Sequence, residues 1–386
     1  MIKHILTLIW NKRSKNGLLL TEILLAFLIL FAVSAVVISG LRKYWTPRGF
    51  DPSDTLTFRM TFDESSMDSL QLVNAKRLLK SELQAMPEIE TVAFGNITPY
   101  SQSMSSLSND DNGFEMDTWL VDGDENMQEA LDMKLVNGRW FTAEDANSKY
   151  QAVIINKKLY DAHFKDRNLR DSIYEISGEC RIVGVVDHYK YSSDFSEEPN
   201  MTIRYEPFHN SSSVYLERSP GVDASFDETL HNKLKALMGN AYFTVEHLDE
   251  LRKLRSQSYW IPIISLVSIS GFLTLNVALG LFGVLWYNIS KRRSEIGVRR
   301  SMGATRGSIS RQFTGEVLAV SLVGILLGTF FAIQAPYLGL FDLDKSNYYY
   351  GILFAALLII LLVLFCALYP SRQASRVHPA VALHEE

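Results

Sequence analysis

Residues 260–306 read WIPIISLVSISGFLTLNVALGLFGVLWYNISKRRSEIGVRRSMGATR, and that stretch decides the fold. Its first 28 residues carry no charged side chain, and six of the 19 that follow are Lys or Arg. At ~1.5 Å of rise per residue, about 20 apolar residues cover a hydrocarbon core of about 30 Å, so the first part reads as a membrane-spanning helix. The basic part reads as a loop on the cytoplasmic side, where Lys and Arg accumulate.

Three further runs match it. Residues 18–39 contain Glu22 as their only charged group, and 317–335 and 352–369 contain none. The last run has 18 residues and spans only ~27 Å, so aromatic rings at its ends, Tyr350 and Tyr369 among them, complete the crossing at headgroup level. Lys3, Lys12, Arg13 and Lys15 precede the first run and small residues close it, the outline of a signal peptide. The run exceeds the usual length of about 7–15 residues, so an uncleaved helix is expected. Ahead of it Ile2, Ile5, Leu6 and Ile9 share one helical face. They read equally as a short interfacial helix or as a slightly apolar N-terminus.

An overall charge of −5 with 21% charged residues would suit a soluble protein, but the charges are segregated. The stretch before the first run has four Lys/Arg, 288–312 has seven against one Glu, and 370–386 has two against two. With four crossings these segments share one side, which the positive-inside rule makes cytoplasmic. Residues 42–258 hold 24 Lys/Arg against 36 Asp/Glu, a net charge of −12, and are expected outside; Arg42 and Lys43 oppose the rule locally. Cys180 lies in that domain and Cys366 in the last apolar run, so no disulfide between them is expected. With 217 residues the domain can bury a core without one.

Within 42–258 an approximate repeat is legible. Residues 55–61 alternate as a strand with Leu56, Phe58 and Met60 on one face, 70–86 read as an amphipathic helix, and 91–97 as a second strand. The order returns at 213–217, 226–238 and 241–247, with Leu230, Leu234 and Leu237 at helical spacing. Two such units predict one small sheet with helices on one face. Between them 113–204 is acidic, with short strands at 152–155 and 181–186 and turn signals at Asn137-Gly138 and Ser177-Gly178. Residues 100–112, rich in Ser, Asn and Asp, read as a hinge loop.

The fold class is therefore a membrane protein of four transmembrane α-helices with a large α+β extracytoplasmic domain between helices one and two. Its expected organisation is a cytoplasmic or interfacial segment 1–17, a first span 18–41, the external domain 42–258 in two subdomains with an inserted part of about 101–204, and a second span 259–287. A cytoplasmic loop 288–312, a third span 313–335, a short external loop 336–350, a fourth span 351–369 and a tail 370–386 complete it.

No catalytic constellation emerges. The sequence holds no Gly-x-x-x-x-Gly-Lys-Ser/Thr phosphate loop, which excludes ATP binding of that kind. It also lacks His-Glu-x-x-His and Cys-x-x-Cys, the strongest metal signals. Asp187-His188 reads as a solvated turn, and the Asn-x-Ser/Thr matches at Asn96, Asn200 and Asn210 as chance. In the basic loop, Ser294 can cap a helix over 295–302, Glu295 and Arg299 can pair one turn apart, Gly303 can end the helix, and Thr305 can cap the next. Val298 and Met302 line up on one face and Ile296 does not, so the expected apolar face is poor. On these grounds a docking helix and a loop that only sets topology are equally good readings.

The run Arg293-Ser-Glu-Ile-Gly-Val-Arg-Arg-Ser-Met-Gly-Ala-Thr305, followed by Ile309, Gln312, Phe313 and Glu316, resembles the signature of the FtsX-like, or MacB-type, permeases of ABC transporters. Residues 369–383 resemble that family's closing Pro-Ala-x-x-Ala-x-x-x-x-Pro-x-x-Ala-Leu pattern, with Ser371 where Ala is usual. Residues 138–145, 153–156 and 181–186 resemble its periplasmic core domain.

What the resemblance implies is a multi-pass permease of the bacterial inner membrane, both termini cytoplasmic, whose 293–303 helix docks on a separate ABC ATPase. Arg293, Glu295, Ile296, Gly297, Arg299, Arg300, Gly303 and Ala304 would be its coupling residues. No ATPase domain precedes the first span, so ATP and Mg are expected on the partner ATPase, no cofactor on this chain, and no enzymatic activity in it. Further expected partners are a second permease subunit in a homo- or heterodimer, the lipid bilayer, and a periplasmic adaptor or hydrolase; no nucleic acid is expected. ATP would move the external domain through extended first and second helices, a mechanotransmission in which Leu248, Leu251 and Leu254 suit a stalk. Export or extraction of lipoproteins, peptides or amphiphilic drugs is the leading expectation, with regulation of a cell-wall hydrolase and a membrane-tethered sensor as alternatives. Glu22 is a functional candidate because it is an intramembrane carboxylate. A structural role, reaching the interface or pairing with a nearby base, is the preferred reading.

Overall fold

The first apolar run forms one uninterrupted helix, α1 (Arg13–Trp45). The sequence then runs through β1 (Thr55–Arg59), α2 (Ser69–Gln84), β2 (Ile89–Gly95), β3 (Ser106–Asn109), β4 (Met116–Gly123), α3 (Met127–Ala130), β5 (Leu135–Gly138) and β6 (Gln151–Asn156). Next come α4 (Lys157–His163), β7 (Ile173–Glu175), β8 (Glu179–Val186), β9 (Met201–Tyr205), β10 (Ser213–Arg218), α5 (Phe226–Met238) and β11 (Val245–His247). Four helices close the chain: α6 (Leu248–Ser290), α7 (Arg293–Ser301), α8 (Arg306–Ala332) and α9 (Lys345–Ala374). The computed structural model describes residues 13–60, 68–101, 106–109, 116–165, 173–175, 178–208, 211–223, 225–239 and 242–374. They form two compact units, 43–259 and 1–42 with 260–386.

In the unit 43–259 the two strand–helix–strand segments interleave in the order β11-β1-β10-β2. Strands β1 and β2 are both antiparallel to β10, with Leu56 opposite Leu216, and Val92 opposite Leu216 on the other side. This split βαβ arrangement lets both helices cover one face. Leu79 and Leu83 of α2 and Leu230 and Leu234 of α5 pack there on Leu56, Phe58, Val92, Phe94, Val214 and Leu216. The start of α2 is set locally: Asp68 accepts from the Gln71 amide at 2.7 Å while Gln71 accepts from the Asp68 amide at 3.0 Å. Ala93 and Tyr215 point the opposite way, into a second core with Val121, Ile154 and Ile203. Burial on both faces is why the middles of β2, Val92-Ala93-Phe94, and of β10, Val214-Tyr215-Leu216, are continuous apolar runs.

The inserted strands extend the same sheet in the order β4-β9-β6-β8-β5, with β4–β9 and β6–β8 parallel. The two halves meet at one pair, Gly95 opposite Gly123. Both positions are short of space: a Cβ on Gly95 would lie 2.8 Å from the Tyr215 hydroxyl oxygen, and one on Gly123 2.5 Å from Met127 Sδ. The stretch read as a hinge contains β3, paired with β4 from Ser106–Trp119 to Asn109–Met116. Residues 102–105 and 110–112 of that stretch lie outside the described residues.

In the other unit, helical segments within Leu19–Trp45, Leu248–Tyr287, Gly307–Ala332 and Lys345–Ala367 are long and apolar enough to cross a membrane. Hydroxyls in α6 are satisfied within the helix, as a hydrocarbon environment requires: Ser265, Ser268 and Thr274 donate to carbonyls four residues back at 2.7–2.8 Å. Ile23, Phe27, Leu30 and Ala35 of α1 pack with Val320 and Ile325 of α8 and with Ala355, Ile359 and Val363 of α9. Glycines permit the approach. A Cβ on Gly324 would fall 2.9 Å from Ile23, one on Gly328 2.3 Å from Phe27, and one on Gly351 2.9 Å from Ala35. Helix α6 contributes only Leu281 to the buried set of this core, with Val277 and Val284 at its border.

Candidate functional site

Helix α7 owes its boundaries to local chemistry. Gly303, at φ +94°, breaks the helix in a left-handed conformation. The Met302 and Ala304 amides then bond back to Val298 and Arg299 carbonyls at 3.1 and 3.0 Å, satisfying groups the helix end would leave open. Thr305 Oγ1 accepts from the Ser308 amide at 3.2 Å and starts α8. The helix begins at Arg293, two residues before the expected Glu295.

Tertiary packing reverses the expected apolar face. Ile296 is 2% exposed and packs with Ile289 of α6, Ile309 and Phe313 of α8, and Ala304. Gly297 is buried beside it. Val298 and Met302 are instead 43% and 76% exposed. Ile296 and Val298 lie two residues apart, about 200° around the helix, so anchoring one side chain to the spans leaves the other in solvent.

A polar network holds the same arrangement. Arg299 donates to Glu295 Oε1 at 2.7 Å and to Gln312 Oε1 at 2.5 Å. Gln312 donates to Glu316 at 3.3 Å, and Arg292 donates to Glu316 at 2.9 Å with its guanidinium 5.8 Å from the Phe313 ring centre. The expected Glu295–Arg299 pair is thus part of a longer chain that ties α7 to α8. Of the coupling residues read from the sequence, Ile296, Gly297 and Ala304 serve the anchor, and Glu295 and Gly303 stand on the exposed side. The side chains of Arg293 and Arg300 lie outside the described residues.

Glu22 lies against α6: a Cβ on Gly280 would fall 2.2 Å from its Oε1. Its side chain is half-buried, and among the described residues it forms no ion pair or hydrogen bond. The carboxylate is turned toward a glycine that leaves room for it. The side chains of Arg13 and Lys15 lie outside the described residues.

Asp187-His188 is not a solvated turn. His188 Nδ1 lies 2.7 Å from Glu198 Oε2, and a Cβ on Gly49 would fall 1.8 Å from the His188 carbonyl oxygen, so the residue is wedged between two loops. Asn96 is engaged too, exchanging bonds with Asp122 at 2.8 and 3.1 Å. Lys80 is buried between Asp124 and Glu125 at 2.8 and 2.9 Å. Burial opposes its charge, but the two carboxylates outweigh burial and raise its pKa. Among the described residues no three His, Cys, Asp or Glu side chains gather as a metal site.

Residues 24–230 match the MacB-like periplasmic core domain, and residues 267–379 the C-terminal domain of FtsX-like permeases. Over 351 residues the chain is 24% identical to the macrolide export ATP-binding/permease protein MacB of Bartonella henselae, covering 86% of this chain and 52% of that protein. The protein of that name from Rhodopseudomonas palustris is 25% identical over 346 residues, 84% of this chain and 51% of that one. The chain therefore spans about half the length of these curated relatives. Among solved structures it is similar to the periplasmic region of MacB from Actinobacillus actinomycetemcomitans, with a TM-score of 0.37 and 18% identity over 55% of this chain and 97% of that one.

Proposed function

Because this chain belongs to the family of membrane permeases that join a MacB-like periplasmic core domain to an FtsX-like C-terminal domain, we propose that it is the permease subunit of an ABC transporter. In this reading it couples ATP hydrolysis on a separate ATPase to movement of its external domain. The observation that carries the reading is α7, a short helix pinned by Ile296 between two membrane helices while Val298 and Met302 stand in solvent. A loop that served only to set topology would have no need of a buried anchor opposite an exposed apolar pair. In this reading ATP and its Mg sit on the ATPase, not on the permease helices.

In this reading α7 and both termini are cytoplasmic, which the basic residues around α7 support. A second permease subunit would pack on α6, where Ile261, Ile264, Ile269, Phe272, Leu275 and Leu279 are all more than half exposed. The cargo class is amphiphilic: lipoproteins, peptides or drugs of the envelope, in line with the macrolide export named for its relatives.

The test is co-purification of the full chain with each candidate ATPase, wild type against Glu295→Lys plus Arg299→Glu. One ATPase retained by the wild type and lost from the variant, with ATP-dependent extrusion by the reconstituted pair, supports the reading. Recovery of no ATPase with either form refutes it.

A further inference from the structure

Residues 189–198 connect β8 to β9 and belong to none of the motifs read from the sequence. Lys190 is 1% exposed. Its ammonium donates to the Lys43 carbonyl in the last turns of α1, and at 2.5 Å to the Asp194 carbonyl. Carbonyls at a helix C-terminus lack partners within the helix and carry partial negative charge, so a buried ammonium there acts as a cap. Burial draws the Lys190 pKa down to about 8, against the pull of Asp194 and Glu198, so the amine is still mainly protonated at neutral pH.

Four residues on, the Asp194 carboxylate takes hold of the other helix. Its Oδ2 accepts from Arg252 Nε, in the second turn of α6, at 2.7 Å, with the Asp194 side chain 3% exposed. Phe195 adds ring contacts on both sides, 5.2 Å from Tyr44 of α1 and 5.5 Å from Tyr259 of α6 in a stacked geometry. Lys43 reaches Glu197 at 2.8 Å.

The segment is fastened to the sheet as well. The Tyr191 carbonyl accepts from the Tyr100 amide at 2.6 Å, and the Lys190 amide donates to the Arg48 carbonyl at 2.9 Å. Glu198 accepts from the Tyr189 amide at 3.0 Å and from Asn156 Nδ2, at the end of β6, at 2.7 Å. The result is a relay of adjacent polar contacts: Lys43 carbonyl, Lys190, Asp194, Arg252. Both helix ends are joined through five residues of a segment that is itself tied to β6 through Glu198 and Asn156.

We infer that residues 189–198 form a clamp that couples the outer end of α1 to the start of α6 and passes displacement of either to the external sheet, with Lys190 and Asp194 as its positioning residues. The inference rests on the mechanical reading proposed above and locates the step at which helix movement becomes domain movement. Two independent caps and a coupling clamp differ in one respect. If the contacts share a rigid segment, loosening one must loosen the other, and the effect must be reciprocal.

Hydrogen–deuterium exchange of the full-length chain in nanodiscs tests this without any ATPase or substrate, so its failure would leave the transporter reading standing. Asp194→Asn, which touches only α6 directly, is expected to raise exchange at least about fivefold at 248–256 and also at 43–50. Lys190→Met, which touches only α1, is expected to do the same at both places. Exchange in β2 and β10 should stay unchanged, showing that the domain remains folded. Should Asp194→Asn open those strands, Arg252→Gln breaks the same pair from its more exposed side and carries the same expectation. Increases confined to 248–256 in one variant and to 43–50 in the other would overturn the clamp.

Discussion

Replacing Val298 and Met302 together by Asp is expected to abolish docking of the ATPase without weakening the fold. Full burial of a Val or Met side chain is worth ~1.5–3 kcal/mol. With 43% of Val298 and 76% of Met302 still exposed for a partner to cover, the pair supplies about 2–3.5 kcal/mol of association. At 1.4 kcal/mol per decade, its loss lowers affinity roughly 30- to 300-fold. Burying two carboxylates adds a desolvation cost on top, so this range is a lower bound. The assay is a Kd measured by biolayer interferometry between the purified chain in nanodiscs and its ATPase, with thermal unfolding as the control. Ile296→Ala should behave in the opposite order. It empties a buried site and costs about 2–5 kcal/mol of stability in the α6–α8 corner before it touches the partner. Binding by the double variant within threefold of wild type, at unchanged unfolding temperature, would refute the assignment of this face.

Four other outcomes follow from the structure. Gly328→Val forces a branched side chain against Phe27, 2.3 Å from the position of its Cβ, and should cost about 1–3 kcal/mol in denaturant unfolding of the purified protein. Gly283, with nothing within 4 Å, should accept alanine with no loss. Lys80→Met leaves the fully buried Asp124 without its counter-charge and should cost about 3–5 kcal/mol, read as a lower unfolding midpoint with native-like circular dichroism before melting. Asp145 is held below the ordinary carboxylate value, first by its hydrogen bonds from Arg139. A depressed carboxylate stabilises the fold above its unfolded value of about 3.9 and loses that contribution as pH falls through its folded value. Asp145→Asn should therefore cost at most about 1 kcal/mol at pH 7, since the half-exposed Arg139 is screened by solvent, and nothing once the pH has fallen below the folded value. A cost that persists at low pH would point to the Thr142 contacts instead.

Much of this protein is determined by its sequence alone, wherever the signal is local. The spans follow from uninterrupted lengths without charge, because a hydrocarbon solvent penalises each ionised group by itself. Helix α7 ends at Gly303 and α8 starts at Thr305 because caps involve residues within one turn. The repeated strand, helix and strand show in the periodicity of Leu56, Phe58, Leu230 and Leu234, since each element faces one core.

Tertiary structure alone decided the rest, and distance along the chain is the reason. Helical periodicity ranked Val298 and Met302 as the apolar face of α7, but only the presence of Ile289, Ile309 and Phe313 made Ile296 the buried side. Glu22 meets a glycine of α6 that lies far along the sequence, and no local pattern records which helix becomes its neighbour. Gly95 and Gly123 acquire their role only when the insert joins the sheet between them. Lys190 and Asp194 belong to no motif in the sequence, and both are buried because the ends of α1 and α6 close over them. A charge is legible in a sequence as a side chain in water; whether it becomes a cap, a clamp or a surface depends on what the fold brings to meet it.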